Sequence, residues 1–271
     1  VLLVREVAVD QPAIDRYVQE LDADARRLGA QVGEARFDDD DLDAKLELLL
    51  AAEVPVVSFT FACPSSELVE SFQAAGTQVW VTAATPHDAR IAAASGCDAI
   101  VAQGAEAGGH RSTTTVAERP DEIGTVELVR AVRAALPDAQ FVAAGGISTP
   151  ADVAAVLAAG ADGIQLGTVL LRTPEAGTSA LHRAALADPR FTESRPTRCY
   201  TGRYARALVN GFVAEFDPLA PPAYPHLHIL TGPMRGAASR AGDVEVPPLW
   251  AGSGWRESDA YAGRPAGAVS Y

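Results

Sequence analysis

A short apolar run, Asp98-Ala99-Ile100-Val101, leads into Ala102-Gln103-Gly104-Ala105-Glu106-Ala107-Gly108-Gly109-His110-Arg111-Ser112. One imidazole stands where the strand runs out, behind two glycines. Glycine has no Cβ and tolerates positive φ, so the backbone here can approach a flat ligand closely. A histidine in that setting can move a proton or stabilise charge near neutral pH. Two later strand ends carry phosphate-type chemistry. In Phe141-Val142-Ala143-Ala144-Gly145-Gly146-Ile147, followed by Ser148-Thr149-Pro150, paired glycines expose N–H groups beside a helix N-terminus. In Gly163-Ile164-Gln165-Leu166-Gly167-Thr168, Gly167 allows close approach and Thr168 adds a hydroxyl. One glycine pair alone reads as a tight turn. Two such ends one strand apart favour a phosphate grip, which the loops after the last two strands of (β/α)8 barrels commonly form.

These residues need a scaffold of alternating strands and helices, and the pattern supplies one. Ile14, Val18, Leu21, Ala25 and Leu28 recur at helical steps between Ala13 and Gly29. The acidic run Asp38–Asp41 reads as the solvated first turn of a helix over Leu42–Leu50 rather than a metal site. Strands are expected over Val54–Phe59, Gln78–Thr82, Cys97–Ala102, Gln140–Ala144 and Gly163–Leu166. Helices are expected over Ser65–Ala75, Pro86–Ser95, Val126–Leu136 and Pro150–Ala159. Such units predict a parallel sheet with strands buried on both faces. The glycine signals favour a closed barrel over an open doubly wound sheet. Five strands are clear, and Val1-Leu2-Leu3-Val4 reads as a remnant of a sixth. After about Pro174 the chain reads as helical, then Gly- and Pro-rich, forming a C-terminal segment wrapped onto the barrel.

Taken together, AQGAEAGGHRS, VAAGGIS and GADGIQLGTVLL resemble the nitronate monooxygenase family, from about Ala13 to about Gly254. VPVVSFTFACP, GRYARALVNGF and PLWAGSGW add to the resemblance. It implies an α/β fold of the TIM (β/α)8 type that binds FMN. Residues 1–173 would be the barrel domain and 174–271 the C-terminal segment. It also implies His110 as the catalytic residue beside the flavin, with Gln103, Gly108 and Gly109 along the ring and Thr82 at its border. Gly145, Gly146, Gly167 and Thr168 would hold the FMN phosphate, and Gln165 would lie near the ring or ribityl chain. The implied reaction oxidises an alkyl nitronate or nitroalkane with dioxygen to a carbonyl compound and nitrite. A protonated His110 would stabilise the nitronate, whereas a neutral one would abstract a nitroalkane α-proton. The family's first strand, with its Ala-Pro-Met-like segment, and its Gly-Val-Asn-like third strand find no match. Val1 stands inside an apolar run and the single methionine is Met234, which reads as a barrel lacking about its first two strands.

Composition narrows the partners. A formal charge of −13 over 271 residues argues against a nucleic-acid surface. An anionic cofactor remains compatible, because backbone amides need no side-chain charge. No apolar run approaches the ~20 residues of a membrane span. Cys63, Cys97 and Cys199 are sparse and unpaired in spacing, which fits reduced thiols and a cytoplasmic setting. His87 reads as a polar cap and His182 as a packing residue, and no carboxylates support a metal at His226 and His228. Glu106 reads as an anchor for the glycine turn. Arg111 reads either as an attractor of anionic substrate or as a solvated loop residue. Arg203, Arg206 and Asn210, at helical spacing, read as locks of the C-terminal segment onto the barrel. Three other activities fit parts of the pattern. A flavin-dependent enoyl-acyl-carrier reductase shares the EAGGH run, but would carry Glu-Gly where Gln103-Gly104 stands. A sugar-phosphate-type barrel would need no flavin, and a degenerate barrel would serve only as an interaction module.

Overall fold

The computed structural model describes residues 1–117 and 119–269. Five parallel strands, β1 (Val56–Phe59), β2 (Gln78–Ala83), β3 (Ala99–Gln103), β5 (Phe141–Ala144) and β6 (Gly163–Gln165), stand side by side in chain order. The helices between them are α3 (Ser66–Ala74), α4 (Pro86–Ala94), α5 (Thr125–Ala135) and α6 (Pro150–Ala158), with α2 (Leu42–Ala51) ahead of β1. Their starts follow local chemistry. Ser65, Thr85 and Thr149 cap α3, α4 and α6 by accepting from the N–H three residues on, and proline opens both α4 and α6. Leu2 extends the arc by a parallel bridge to Thr60, beyond β1. Each crossover advances the sheet in the same direction. A doubly wound sheet would reverse at a switch point, so the order is that of a barrel wall. Among the described residues this wall is an arc and does not close on itself.

The expectation that the strands are buried on both faces holds for β3, whose residues Ala99–Ala102 are all buried, but not for β1 and β2. Val57, Phe59, Val79, Val81, Ile100, Ala102, Phe141 and Ala143 are buried beneath the helices. The alternate residues Ser58, Thr60, Thr82, Val101, Gln103, Ala144 and Gln165 line an open cavity. The period-two alternation therefore separates a helix-packed face from a ligand-sized space.

A second, antiparallel sheet was not expected. It joins β4 (Gly109–His110), β8 (Ala205–Leu208) and β7 (Ser194–Thr197) in that order. These strands have two to four residues and no apolar alternation, so local pattern carries no trace of them. The helical spacing read for Arg203, Arg206 and Asn210 is also corrected. They occupy a turn, β8, and the N-cap of α8 (Gly211–Phe216). The Gly- and Pro-rich stretch is likewise more regular than expected, because α9 (His226–Ala241) runs through Gly232, Pro233 and Gly236. An internal proline costs about 3 kcal/mol in a helix. Packing offsets it, since Leu227, Leu230, Met234 and Ala238 are buried against Ile14, Tyr17, Leu21 and Ala25 of α1 (Gln11–Arg27). The helix that precedes the sheet in the chain thus shares a core with the C-terminal segment.

Asn210 fastens that segment internally. Its Oδ1 accepts from Val213 N and the Tyr200 hydroxyl, and its Nδ2 donates to the Val244 and Pro247 carbonyls. Asn210→Ala leaves these buried groups without partners and should cost at least ~2 kcal/mol in urea unfolding. A change below ~0.5 kcal/mol would contradict this role.

Candidate active site

His110, Thr82, Gln103, Gly108, Gly109, Gly145, Gly146, Gln165, Gly167 and Thr168 all line one cavity of about 460 Å³ at the C-terminal ends of the strands. The sequence scatters these ten residues over four strand ends, and the fold gathers them. Pockets for small molecules and cofactors commonly span ~300–1,000 Å³. The lining contains no Asp, Glu, Lys or Arg. An anion here must be held by N–H and O–H donors.

His110 is held from three sides. Gly109 and His110 pair with Arg206 and Ala205 of β8, and Arg111 N continues the contact to the Tyr204 carbonyl at 2.9 Å. The Gln103 amide donates to the His110 carbonyl at 3.0 Å and accepts from Ser112 N at 2.8 Å. The imidazole Nε2 lies 3.0 Å from Thr201 Oγ1, and the rings of Phe61, Tyr224 and Trp250 pack around it at 5.5–5.7 Å. Burial, reinforced by the positive charges of Arg203, His228 and Arg235, lowers its pKa to about 3. The imidazole is therefore neutral at physiological pH, which favours the proton-abstracting alternative.

Glu106 is the anchor that the sequence suggested. Its carboxylate accepts from Thr125 N and Oγ1 at the start of α5, where the N-cap Gly124 has no side chain to offer. Its carbonyl accepts from Ser253 N at 3.0 Å. Its Cβ lies where a side chain on Gly146 would go, only 2.6 Å from an added Cβ. Gly145 and Gly146 both adopt positive φ, a geometry that turns successive N–H groups toward one side. Nothing lies within 4 Å of a Cβ added to the cavity-lining Gly167. Thr168 Oγ1 accepts from Gly252 N at 2.9 Å, leaving its proton free to donate. The α6 N-terminus behaves differently from expectation. Asp152 closes a capping box there, accepting from Ser148 N and Thr149 N, so the helix end is already supplied with negative charge. The glycine turns, rather than the helix end, are left to receive a phosphate.

Arg111 is corrected on both readings. It is buried, donates to the Gln103 and Ala84 carbonyls and meets Asp121 at 3.3 Å, so it supports the turn from behind. Arg206 does lock the C-terminal segment to the barrel, through the Ala105 carbonyl, and Arg203 does so through Thr113. Asn210 bonds within its own segment instead. His87 occupies the first turn of α4 behind the true cap Thr85, and His182 packs in α7 (Ala180–Ala187). Both His226 and His228 fall on α9. Among the described residues no three His, Cys, Asp or Glu gather to hold a metal. Burial pushes the Cys97 thiol up to about 12 and raises that of Cys199, so both are protonated, inert thiols. Among the described residues no helix is long and apolar enough to cross a membrane.

Sequence reasoning assigned no role to Phe61, Thr201, Tyr224, Trp250, Gly252 or Gly254. Phe61 holds a positive φ of 81° and presents its ring to the imidazole. Trp250, Gly252 and Gly254 form the far wall of the cavity. Their glycine spacing was a usable signal, because a Cβ on Gly252 would fall 2.7 Å from the Glu106 carbonyl oxygen.

Two outcomes follow from this geometry. Gly146→Ala places a Cβ against Glu106 at positive φ, and should cost about 1–3 kcal/mol, read as a lower urea midpoint. For His110, the folded pKa lies below the unfolded ~6.5, so the unfolded chain binds the extra proton between them. The stability contributed by the neutral ring is present above ~6.5 and is lost as pH falls toward 3. Unfolding curves between pH 7 and 5 should therefore be shallower in pH for His110→Asn, by up to about 1.4 kcal/mol per unit. Identical slopes would mean the ring is charged in the folded protein.

A family model described as nitronate monooxygenase matches residues 1–262. A nitronate monooxygenase from Pseudomonas aeruginosa is 39% identical over 216 residues, covering 77% of this chain and 60% of that protein. A probable nitronate monooxygenase from Staphylococcus aureus is 33% identical over 210 residues, covering 76% of this chain and 59% of that protein. The chain thus spans about three-fifths of the length of these relatives. Among solved structures, nitroalkane oxidase from Streptomyces ansochromogenes superposes with a TM-score of 0.89 and 44% identity, over 95% of this chain and 74% of that one. The M276A mutant of FabK from Thermotoga maritima gives 0.64 and 25%, over 82% of this chain and 66% of that one. The wall of ordered strands is accordingly that of a TIM barrel, and the chain belongs to the nitronate monooxygenase family.

Proposed function

We propose that this chain carries the flavin and substrate site of an FMN-dependent enzyme that oxidises alkyl nitronates, with nitroalkanes entering after loss of a proton to His110. The observation that carries the reading is a half-buried, neutral imidazole in the same cavity as two glycine-rich strand ends. The likeness to a nitroalkane oxidase and to nitronate monooxygenases supports it.

The residues fit FMN. Gly145, Gly146, Gly167 and Thr168 would hold the phosphate, using neutral donors in a cavity without charged walls. Gln103, Gly108 and Gly109 would border the ring, with Thr82 and Gln165 at its edges. Gly108 is demanded by packing, since a Cβ there would fall 2.5 Å from Gly252 N, and its absence lets the turn lie against the far wall of the cavity. Bound FMN supplies the redox chemistry between nitronate and dioxygen, which ends in a carbonyl compound and nitrite.

His110 does the proton work. A neutral imidazole takes the Cα proton of a nitroalkane, and the electron pair left behind makes the nitronate. The resting affinity of this ring for a proton is low. Negative charge developing on the adjacent nitro group raises it as the proton moves. Substrate supplied as nitronate bypasses this step.

The test is His110→Asn in the full chain, followed by flavin absorbance, nitrite release and oxygen uptake. FMN binding should persist while nitroalkane turnover falls by about 10²–10⁴. Unchanged turnover would remove His110 from the chemistry. A colourless protein that gains no thermal stability from FMN would remove the flavin. NAD(P)H consumption with a crotonyl thioester, and none of nitronate, would make it a reductase.

A further inference from the structure

Thr201 sits on the turn before β8, almost fully buried, and nothing in the sequence marks it. Its hydroxyl has three neighbours. Oγ1 lies 3.0 Å from the Arg203 carbonyl oxygen, 3.3 Å from Arg203 N and 3.0 Å from His110 Nε2. A hydroxyl has one proton to give and lone pairs to accept with. The Arg203 carbonyl is an acceptor only, so the Thr201 proton belongs to it. Arg203 N–H is a donor only, and takes one lone pair. What faces Nε2 is then the remaining lone pair, and Nε2 must carry the hydrogen. The opposite arrangement would set the Thr201 and Arg203 oxygens lone pair to lone pair at 3.0 Å, an uncompensated repulsion between buried groups.

A neutral imidazole has one N–H, so fixing it on Nε2 leaves Nδ1 bare. Nδ1 has no hydrogen-bond partner among the described residues, and His110 lines the cavity. The ring cannot readily turn over to exchange its atoms, because Phe61, Tyr224 and Trp250 pack against it. We infer that Thr201 is a positioning residue that locks His110 in its Nε2–H form, making Nδ1 the atom that accepts the substrate proton. This rests on the nitroalkane reading of the site, but the lock itself is a property of the resting protein. In the step so defined, the Cα–H bond breaks and an Nδ1–H bond forms. The electron pair stays on the substrate as the nitronate. The resulting imidazolium keeps its Nε2–H on Thr201, so the step needs no rearrangement behind the ring.

The experiment is nitrogen-15 NMR of the labelled full-length chain at pH 7, which reads the tautomer of His110 without any turnover. The signal is assigned by its loss in His110→Asn. Wild type should show Nδ1 unprotonated and Nε2 protonated. Thr201→Val, which keeps the shape and removes the oxygen, should lose that single form. Its nitroalkane turnover should fall at least tenfold, with nitronate turnover within twofold of wild type. Thr201→Ser should restore both. Should Thr201→Val fail to fold, the wild-type and Thr201→Ser spectra still decide. An unprotonated Nε2 in wild type overturns the inference, as does an unchanged tautomer in a folded Thr201→Val. If the spectra come out as expected while His110→Asn keeps full turnover, the lock stands and the proton-abstraction reading fails.

Discussion

Two backbone pairings, Gly109 with Arg206 and His110 with Ala205, hold the site together. They attach the loop after β3 to a segment almost a hundred residues further along the chain. Most of what surrounds the imidazole follows from that attachment, Phe61 and Gln103 being the barrel's own contribution. The same hairpin brings Thr201 to Nε2 and Arg203 to Thr113, and the chain beyond it brings Tyr224 and Trp250 to the ring. Desolvation by these groups is the largest cause of the depressed pKa. Without the attachment, His110 would be a loop histidine titrating near its ordinary value.

Electrostatics divides the labour differently from a usual anion site. The protein is strongly acidic, yet the cavity lining carries no carboxylate and no cation. Charge is kept just behind the wall instead. Glu106 faces α5, Asp152 faces its own helix start, and Arg111 faces carbonyls. Each charged group is used to shape backbone, and the shaped backbone presents the uncharged donors.

Much of this was legible in the sequence. The strand–helix alternation and the glycine-marked strand ends are local signals, and the structure puts them where local chemistry says, whereas the cap of α4 was read as His87 and is Thr85. The ten residues expected at the site share one cavity for the same reason: consecutive parallel strands end on the same side of the sheet. The illegible part is long-range. β7 and β8 are too short and too polar to show a period, and α9 runs through a proline and two glycines because its partner helix α1 makes that worthwhile. Arg203, Arg206 and Asn210 matched a helical spacing by coincidence. Thr201 could not be found from sequence at all, since its role exists only once a turn 91 residues away meets the imidazole.

Two of the buried apolar clusters flank the site: one between the sheet and its helices, the other where α1 packs with α8 and α9 beneath the C-terminal segment. The imidazole lies on the seam between them, with the backbone that carries it on one side and most of its walls on the other. Reacting groups misplaced by about 1 Å can lose a hundredfold in rate. Small slippage along that seam would silence the chemistry while both clusters stayed packed. Under the proposed function, activity would therefore gauge how these two clusters register against each other.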